Sequence, residues 1–269
     1  METEETVQSE QPTNQVEELS HTDKIVGVIS EPSKMFSITS LFPIRSKDWL
    51  IPLLIVFAIA GIIRSVAMLN EEVYFEAKQQ QVKMMEDMVK NGTLPADQLD
   101  SALERIDSQM EFMRGPVGWI ISIVTTVIFG SIFFFIIVGI YFLCVKLILK
   151  GEGTYPGALV ASALPMYIST IQFIITGLLT FMMGKIVVDT SVAAFLGTDR
   201  STILGFVLAK FDPISIWAYV VLAIGLAKMF KSKDTTKYII LVFALWILGG
   251  LLFFFLGQAF PFLRGFTGG

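Results

Sequence analysis

The sequence predicts an all-α, polytopic membrane protein with five transmembrane helices and an extracytoplasmic helical hairpin. Three observations lead there. Apolar residues make up 54% of the 269 residues and charged ones only 16%, too few to clothe a soluble surface on a chain this long. Several apolar runs reach or approach the roughly 20 residues that an α-helix needs to cross a bilayer. One long interruption, residues 70–115, is acidic and keeps helical spacing on both sides of a single turn signal.

Residues 1–24 begin METEETVQSEQPTNQVEELS, acidic and nearly free of large apolar side chains. Such a stretch buries too little surface to offset chain entropy, so a disordered cytoplasmic tail is expected. It lacks the basic start and apolar core of a secretion signal, and retention is expected. Residues 25–47 place Ile25, Val26, Val28, Ile29, Met35 and Phe36 among polar residues. That is the pattern of a short amphipathic helix, broken at Pro32, lying on the membrane interface.

The membrane domain covers 48–257, with spans at about 49–69, 116–149, 157–183, 213–229 and 238–257. Trp49 stands at headgroup level and Pro52 is tolerated in a first helical turn. The second span exceeds a ~30 Å hydrocarbon core, so it tilts or projects into water. The fourth is short, but STILGFVLAKF ahead of it reads as an interfacial helix capped by Ser201. Residues 258–269 form a short extracytoplasmic tail.

Basic residues set the orientation. Lys34, Arg45 and Lys47 precede the first span, and Lys146 and Lys150 follow the second. Lys228, Lys231, Lys233 and Lys237 lie between the fourth and fifth. All three groups belong on one side, expected to be the cytoplasm. The lysines after span four read as anchors that reach anionic headgroups rather than as a specific site. The connection 70–115 instead carries ten Asp or Glu against five Lys or Arg.

That connection is expected to start as a continuation of span one, turn at NGTLP and return. In the returning arm Leu99, Leu103, Ile106, Met110 and Met113 recur at coiled-coil spacing. In the outgoing arm Tyr74, Ala77, Gln81, Met84 and Met88 make a looser stripe. An antiparallel hairpin follows, either packed only on itself or offering Met84, Met88, Leu103, Ile106 and Met110 to a partner.

Inside the membrane, span three carries a polar seam of Ser162, Ser169, Gln172, Thr176 and Thr180, with Pro165 beside it. Lipid disfavours such groups, so the seam faces other helices, as interhelical hydrogen bonding or as a path for a solute. Ser122, Thr126 and Gly130 give span two a small-residue face suited to receive it. Arg64 lies near the outer end of span one, within reach of Glu71, Glu72 or Glu111. It is a functional candidate by its depth and an anchor by its ability to pair.

Asp212-Pro213 opens the fourth span. Aspartate at an N-cap accepts orphan backbone N–H groups, and proline at N1 has none to orphan. With FDPISIWAYVVLAIGLAKMFK, carrying Asp212, Pro213, Trp217 and Gly225, the chain resembles the Yip family of five-span membrane proteins. VGVISEPSKMF and GEGTYPGALVASALPMYISTIQFIITGLL fit the same likeness, which covers most of Asp23 to Gly257. The resemblance implies a non-enzymatic scaffold or assembly factor. Its eukaryotic members serve vesicle traffic, and some prokaryotic relatives accompany ABC-type exporters. The acidic insert departs from the compact eukaryotic pattern and favours a bacterial member.

One cysteine (Cys144) and one histidine (His21) leave too few ligands for a zinc cluster, a Cys–His nucleophile pair or a haem site. No catalytic, cofactor or metal residue is assigned, and no nucleic-acid partner is expected. The expected partners are membrane lipids and another membrane protein. A small transporter or permease is the alternative.

Overall fold

The computed structural model describes residues 16–260. The first fifteen residues of the expected acidic tail and residues 261–269 of the expected C-terminal tail lie outside the described residues. Within them the chain runs α1 (His21–Ser30), α2 (Pro32–Thr39), α3 (Lys47–Ala67) and α4 (Glu71–Lys90). After a 3₁₀ turn come α5 (Leu99–Arg114), α6 (Pro116–Leu147), α7 (Tyr155–Ala163) and α8 (Met166–Met183). The last are α9 (Val192–Leu196), α10 (Ile203–Ala209), α11 (Pro213–Met229) and α12 (Thr236–Ala259). No strand occurs among the described residues.

Helix α3, helix α6, the pair α7–α8 and helix α12 are each long and apolar enough to cross a membrane. Helix α11 reaches that length only together with α10, from which it bends by 63°. The protein is therefore an all-α, multi-pass membrane protein with four crossings, or five if α10 and α11 form one bent span. The third crossing is interrupted at Leu164–Pro165, where proline withholds a backbone donor. At 32 residues, α6 measures about 48 Å, well beyond the ~30 Å core.

Helix α3 occupies the middle, between α6 and α8. Gly61 of α3 meets Ile123 of α6 so closely that a Cβ there would stand 2.8 Å from the Ile123 Cα. Gly130 of α6 receives the Phe57 ring, and Gly177 of α8 receives Ile63. Between helices in lipid, burial of apolar surface gives no advantage, so close backbone approach and dispersion do the holding. The small-residue face of α6 thus receives α3 first, not span three as its sequence suggests. The reason is Phe57, which fills the notch at Gly130.

The N-terminal segment is seated on the bundle and breaks at Pro32. Helices α1 and α2 fold back on each other at Pro32, and α2 packs onto α11. Val28, Met35 and Phe36 are fully buried in the main core, while Val26 and Ile29 stay exposed. Gly225 makes this docking possible: a Cβ there would stand 2.8 Å from the Phe36 ring and 3.1 Å from the Ala161 carbonyl. Gly225→Val is expected to displace α2 and cost about 1–3 kcal/mol, the usual penalty of overpacking a core. Faster proteolysis between α2 and α3 in detergent would show it; an unchanged cleavage rate would count against the docking.

Helix α3 does not run on into the hairpin. It ends at Ala67, and Asn70 starts a new helix by accepting from the N–H groups of Glu72 (2.9 Å) and Val73 (3.3 Å). The Asn70 amide also donates to the Phe181 carbonyl at 3.0 Å, tying the base of the hairpin to α8. Lys78 pairs with Asp107 at 2.8 Å and Glu71 with Arg114. Two turns onward in α4 thus match two turns backward in α5, an antiparallel register.

Helix α10 begins one residue later than its sequence suggests. Thr202, not Ser201, is its cap and accepts from Gly205 N–H at 3.0 Å. Ser201 instead donates its own N–H to the Asp199 carboxylate at 2.8 Å.

Candidate functional site

The most concentrated polar chemistry in the membrane region surrounds Asp212, 1% exposed. As the cap of α11 it accepts from Ile214 N–H (3.1 Å) and Ser215 N–H (3.3 Å). Three side chains donate to it as well: Gln172 of α8 through Nε2, Thr190 at 2.8 Å and the Ser215 hydroxyl at 3.0 Å. Every partner is a donor, the surroundings a buried carboxylate requires. No Lys, Arg or His among the described residues lies within ion-pair distance of it. Pro213 is exposed, and Trp217 is half-buried against the core.

The seam of α8 leads to this cluster. Gln172, Thr176 and Thr180 are buried on one face, a turn apart. Thr176 returns its hydroxyl to the Gln172 carbonyl (3.0 Å), while Thr180 Oγ accepts from Val187 N–H (2.9 Å). Ser169 is half-buried, and Ser162, one helix earlier on α7, has a buried hydroxyl with no partner. Residues 184–191 run back beside α8 as far as Gln172, which is how Thr190 reaches Asp212. Asp189 and Arg200 latch this loop with two bonds of 2.8 and 2.7 Å. Burial works to raise the Asp189 pKa, but bonds from Arg200 and Ser191 outweigh it and hold the carboxyl below its ordinary value.

Above the seam a cleft of about 960 Å³ opens between α3, α4, α8 and the end of α12. Thr176 and Thr180 form part of its floor. Its charged wall consists of Arg64, Lys83, Arg200, Asp87 and Asp199. Asp87 pairs with Lys90 at 3.7 Å, Arg200 with Asp189, and Asp199 feels the field of Lys83. Arg64 pairs with none of the three glutamates within its expected reach; Glu71 is taken by Arg114.

The hairpin has its own small core of Ala77, Ile106 and Met110, with Leu103, Met85, Tyr74, Met68 and Ile186 packed on it. The outgoing stripe differs from its sequence pattern at two positions. Met85 takes the seam, while Gln81 and Met84 face the cleft. The cause is that α4 has two neighbours: α5 on one side and the loop after α8 on the other. Ile186 N–H donates to Glu76 Oε2 at 2.6 Å on that second side. Met88 is half-buried at the turn, where its carbonyl accepts from Thr93 N–H (2.8 Å) and Leu94 N–H (2.9 Å).

A second buried polar contact lies at the opposite end of α3. Lys24 of α1 pairs with Asp48 of α3 at 2.7 Å, both side chains 3% exposed. Asp48 Oδ2 also accepts from Arg45 N–H at 3.3 Å, and His21 shares a 2.8 Å hydrogen bond with the Tyr167 hydroxyl. No local pattern announces this pair, because its members are 24 positions apart in different elements. Thr190 and Ser215 are also absent from the sequence candidates. Ser215 had a signal, since it stands three residues after a cap; Thr190 had none.

These features together define a multi-pass helical membrane protein built around a buried aspartate cluster and an open cleft beneath a hairpin. A stretch of 91 residues, 33% of the chain, is 36% identical to the membrane protein YknW of Bacillus subtilis (strain 168). The match spans 38% of that protein's length. No family model and no solved structure matches the chain.

Proposed function

We propose that this protein is a non-enzymatic scaffold or assembly factor that holds another membrane protein, and that it is a Yip-family relative. In this reading it resides in a bacterial cytoplasmic membrane, N-terminus inside and hairpin outside, with a multi-subunit exporter as its partner. The observation that carries the reading is the construction of the hairpin. Its core is three side chains deep, it leaves Phe75 and Phe112 exposed at 59% and 49%, and it walls an open cleft. Exposed aromatic side chains are what protein interfaces use as anchors, and these two stand on hairpin faces outside the cleft lining. Helices α6 and α12 also leave most of their apolar surface uncovered by the rest of the chain.

The test removes the arm and keeps the bundle. Replacing residues 72–111 with a short Gly/Ser bridge should leave membrane insertion unchanged and lower co-purification of the partner by about tenfold or more. Undiminished co-purification from native membrane would reject the hairpin as the grip.

A transporter is the second reading, favoured by the polar path from the cleft floor through Thr180 and Thr176 to Gln172 and Asp212. Saturable, competable solute movement by the purified protein in liposomes would establish it in place of the scaffold.

A further inference from the structure

Among the described residues two non-glycine residues hold a left-handed backbone, Lys150 (φ 53°) and Lys231 (φ 56°). Both line one pocket of about 250 Å³ between the C-terminal ends of α6 and α11 and the start of α12. Each ends a helix: Gly151 N–H bonds the Val145 carbonyl (3.2 Å) and Ser232 N–H the Ala227 carbonyl (2.8 Å). Glycine makes such a helix end without steric penalty, whereas lysine at both is strained. Strain of this kind gathers where a side chain is needed.

The two turns bring together lysines that the sequence keeps far apart. Lys150 arrives from the α6–α7 connection, Lys231 and Lys233 from the α11–α12 connection, and Lys237 from the first turn of α12. Glu152 is the one carboxylate lining the pocket. None of the four lysines has a carboxylate within ion-pair distance among the described residues. The wall also holds Tyr238, fully buried, whose hydroxyl has no hydrogen-bond partner of proper geometry. Nearby Ser232 directs its own proton to the Asp234 carbonyl at 3.0 Å. Gly151 packs directly against the hydroxyl, where a Cβ would stand 2.9 Å from it.

We propose that this pocket binds the phosphate headgroup of an anionic phospholipid. The lysine ammonium groups meet the phosphate oxygens as point charges, and the Tyr238 hydroxyl supplies a directed donor. A lipid rather than a free anion fits the surroundings. The pocket lies where α6, α11 and α12 leave the hydrocarbon, and Leu147, Ile148 and Ile240 stand 64–67% exposed next to it in the chain, a track for acyl chains. Basic pockets between membrane helices are known headgroup sites on physical grounds.

The test uses the full-length protein in mild detergent, with native mass spectrometry reading retained phosphatidylglycerol against phosphatidylcholine. Phosphatidylglycerol should be retained preferentially, with each lysine removed lowering retention about fivefold. Lys150→Gly/Lys231→Gly is the decisive variant: it relieves the backbone, so thermal stability should hold or rise while lipid retention falls. Lys233→Gln/Lys237→Gln should lower retention similarly. Equal retention of the two lipids, or unchanged retention in both double variants, would overturn the proposal. Stabilisation by inorganic phosphate without any lipid preference would make the pocket a free-anion site and overturn it as well.

Discussion

Asp212→Ala is expected to destabilise the membrane bundle by on the order of 5 kcal/mol, the low end of a lost cap plus three stranded donors. Loss of an N-cap alone costs about 0.5–2 kcal/mol. Hydrogen bonds to a charged group add roughly 1.5–3 kcal/mol each when deletion strands their donors. Here Gln172, Thr190 and Ser215 all point at the same carboxylate, and alanine leaves their donors unpaired in a buried site. Were Asp212 a cap alone, Asp212→Asn would be nearly silent. In this cluster the asparagine amide meets other donors, so a loss of about 1 kcal/mol is expected even after Gln172 turns its amide over. Thermal unfolding of the three proteins in one detergent ranks them. Alanine matching the wild type would show that the cluster carries no stability.

The second large effect is at Lys24 and Asp48. Lys24→Met or Asp48→Leu alone strands a buried charge and should cost about 3–5 kcal/mol. The pair replaced together should come close to wild type, since two apolar side chains of similar volume need no countercharge. The double-mutant cycle measures this directly. Single variants within about 1 kcal/mol of wild type would mean that water reaches the pair, contrary to its 3% exposure.

What the sequence could disclose depended on the range of each interaction. The crossing helices were readable because hydrocarbon thickness imposes a length and an apolar composition on each run. The Asp212 cap was readable because its cause lies within three residues. The three donors added by tertiary structure were not, since Thr190 reaches Asp212 only through a loop that runs back along α8. The start of α4 was misread for a local reason: the chain from Leu69 to Glu72 lacks Gly and Pro, yet Asn70 followed by two glutamates is itself a helix start. Sorting Met84 from Met85 needed knowledge that α4 has two neighbours. The lysines at 150 and 231–237 looked like separate anchors because no periodicity links two turns on different helices.

The seating of Phe36 against Gly225 also bears on how the chain is made. The two residues lie about 190 positions apart, and synthesis proceeds at roughly 5–20 residues per second. For some ten to forty seconds α1 and α2 are therefore complete while their berth on α11 does not yet exist. During that interval Phe36, Met35 and Val28 have no bundle to enter and must rest on the membrane surface, the very position that their amphipathic pattern suits. Closure of the N-terminal pair is then among the last steps of biogenesis, and a ribosome halted before α11 would leave those two helices accessible to protease.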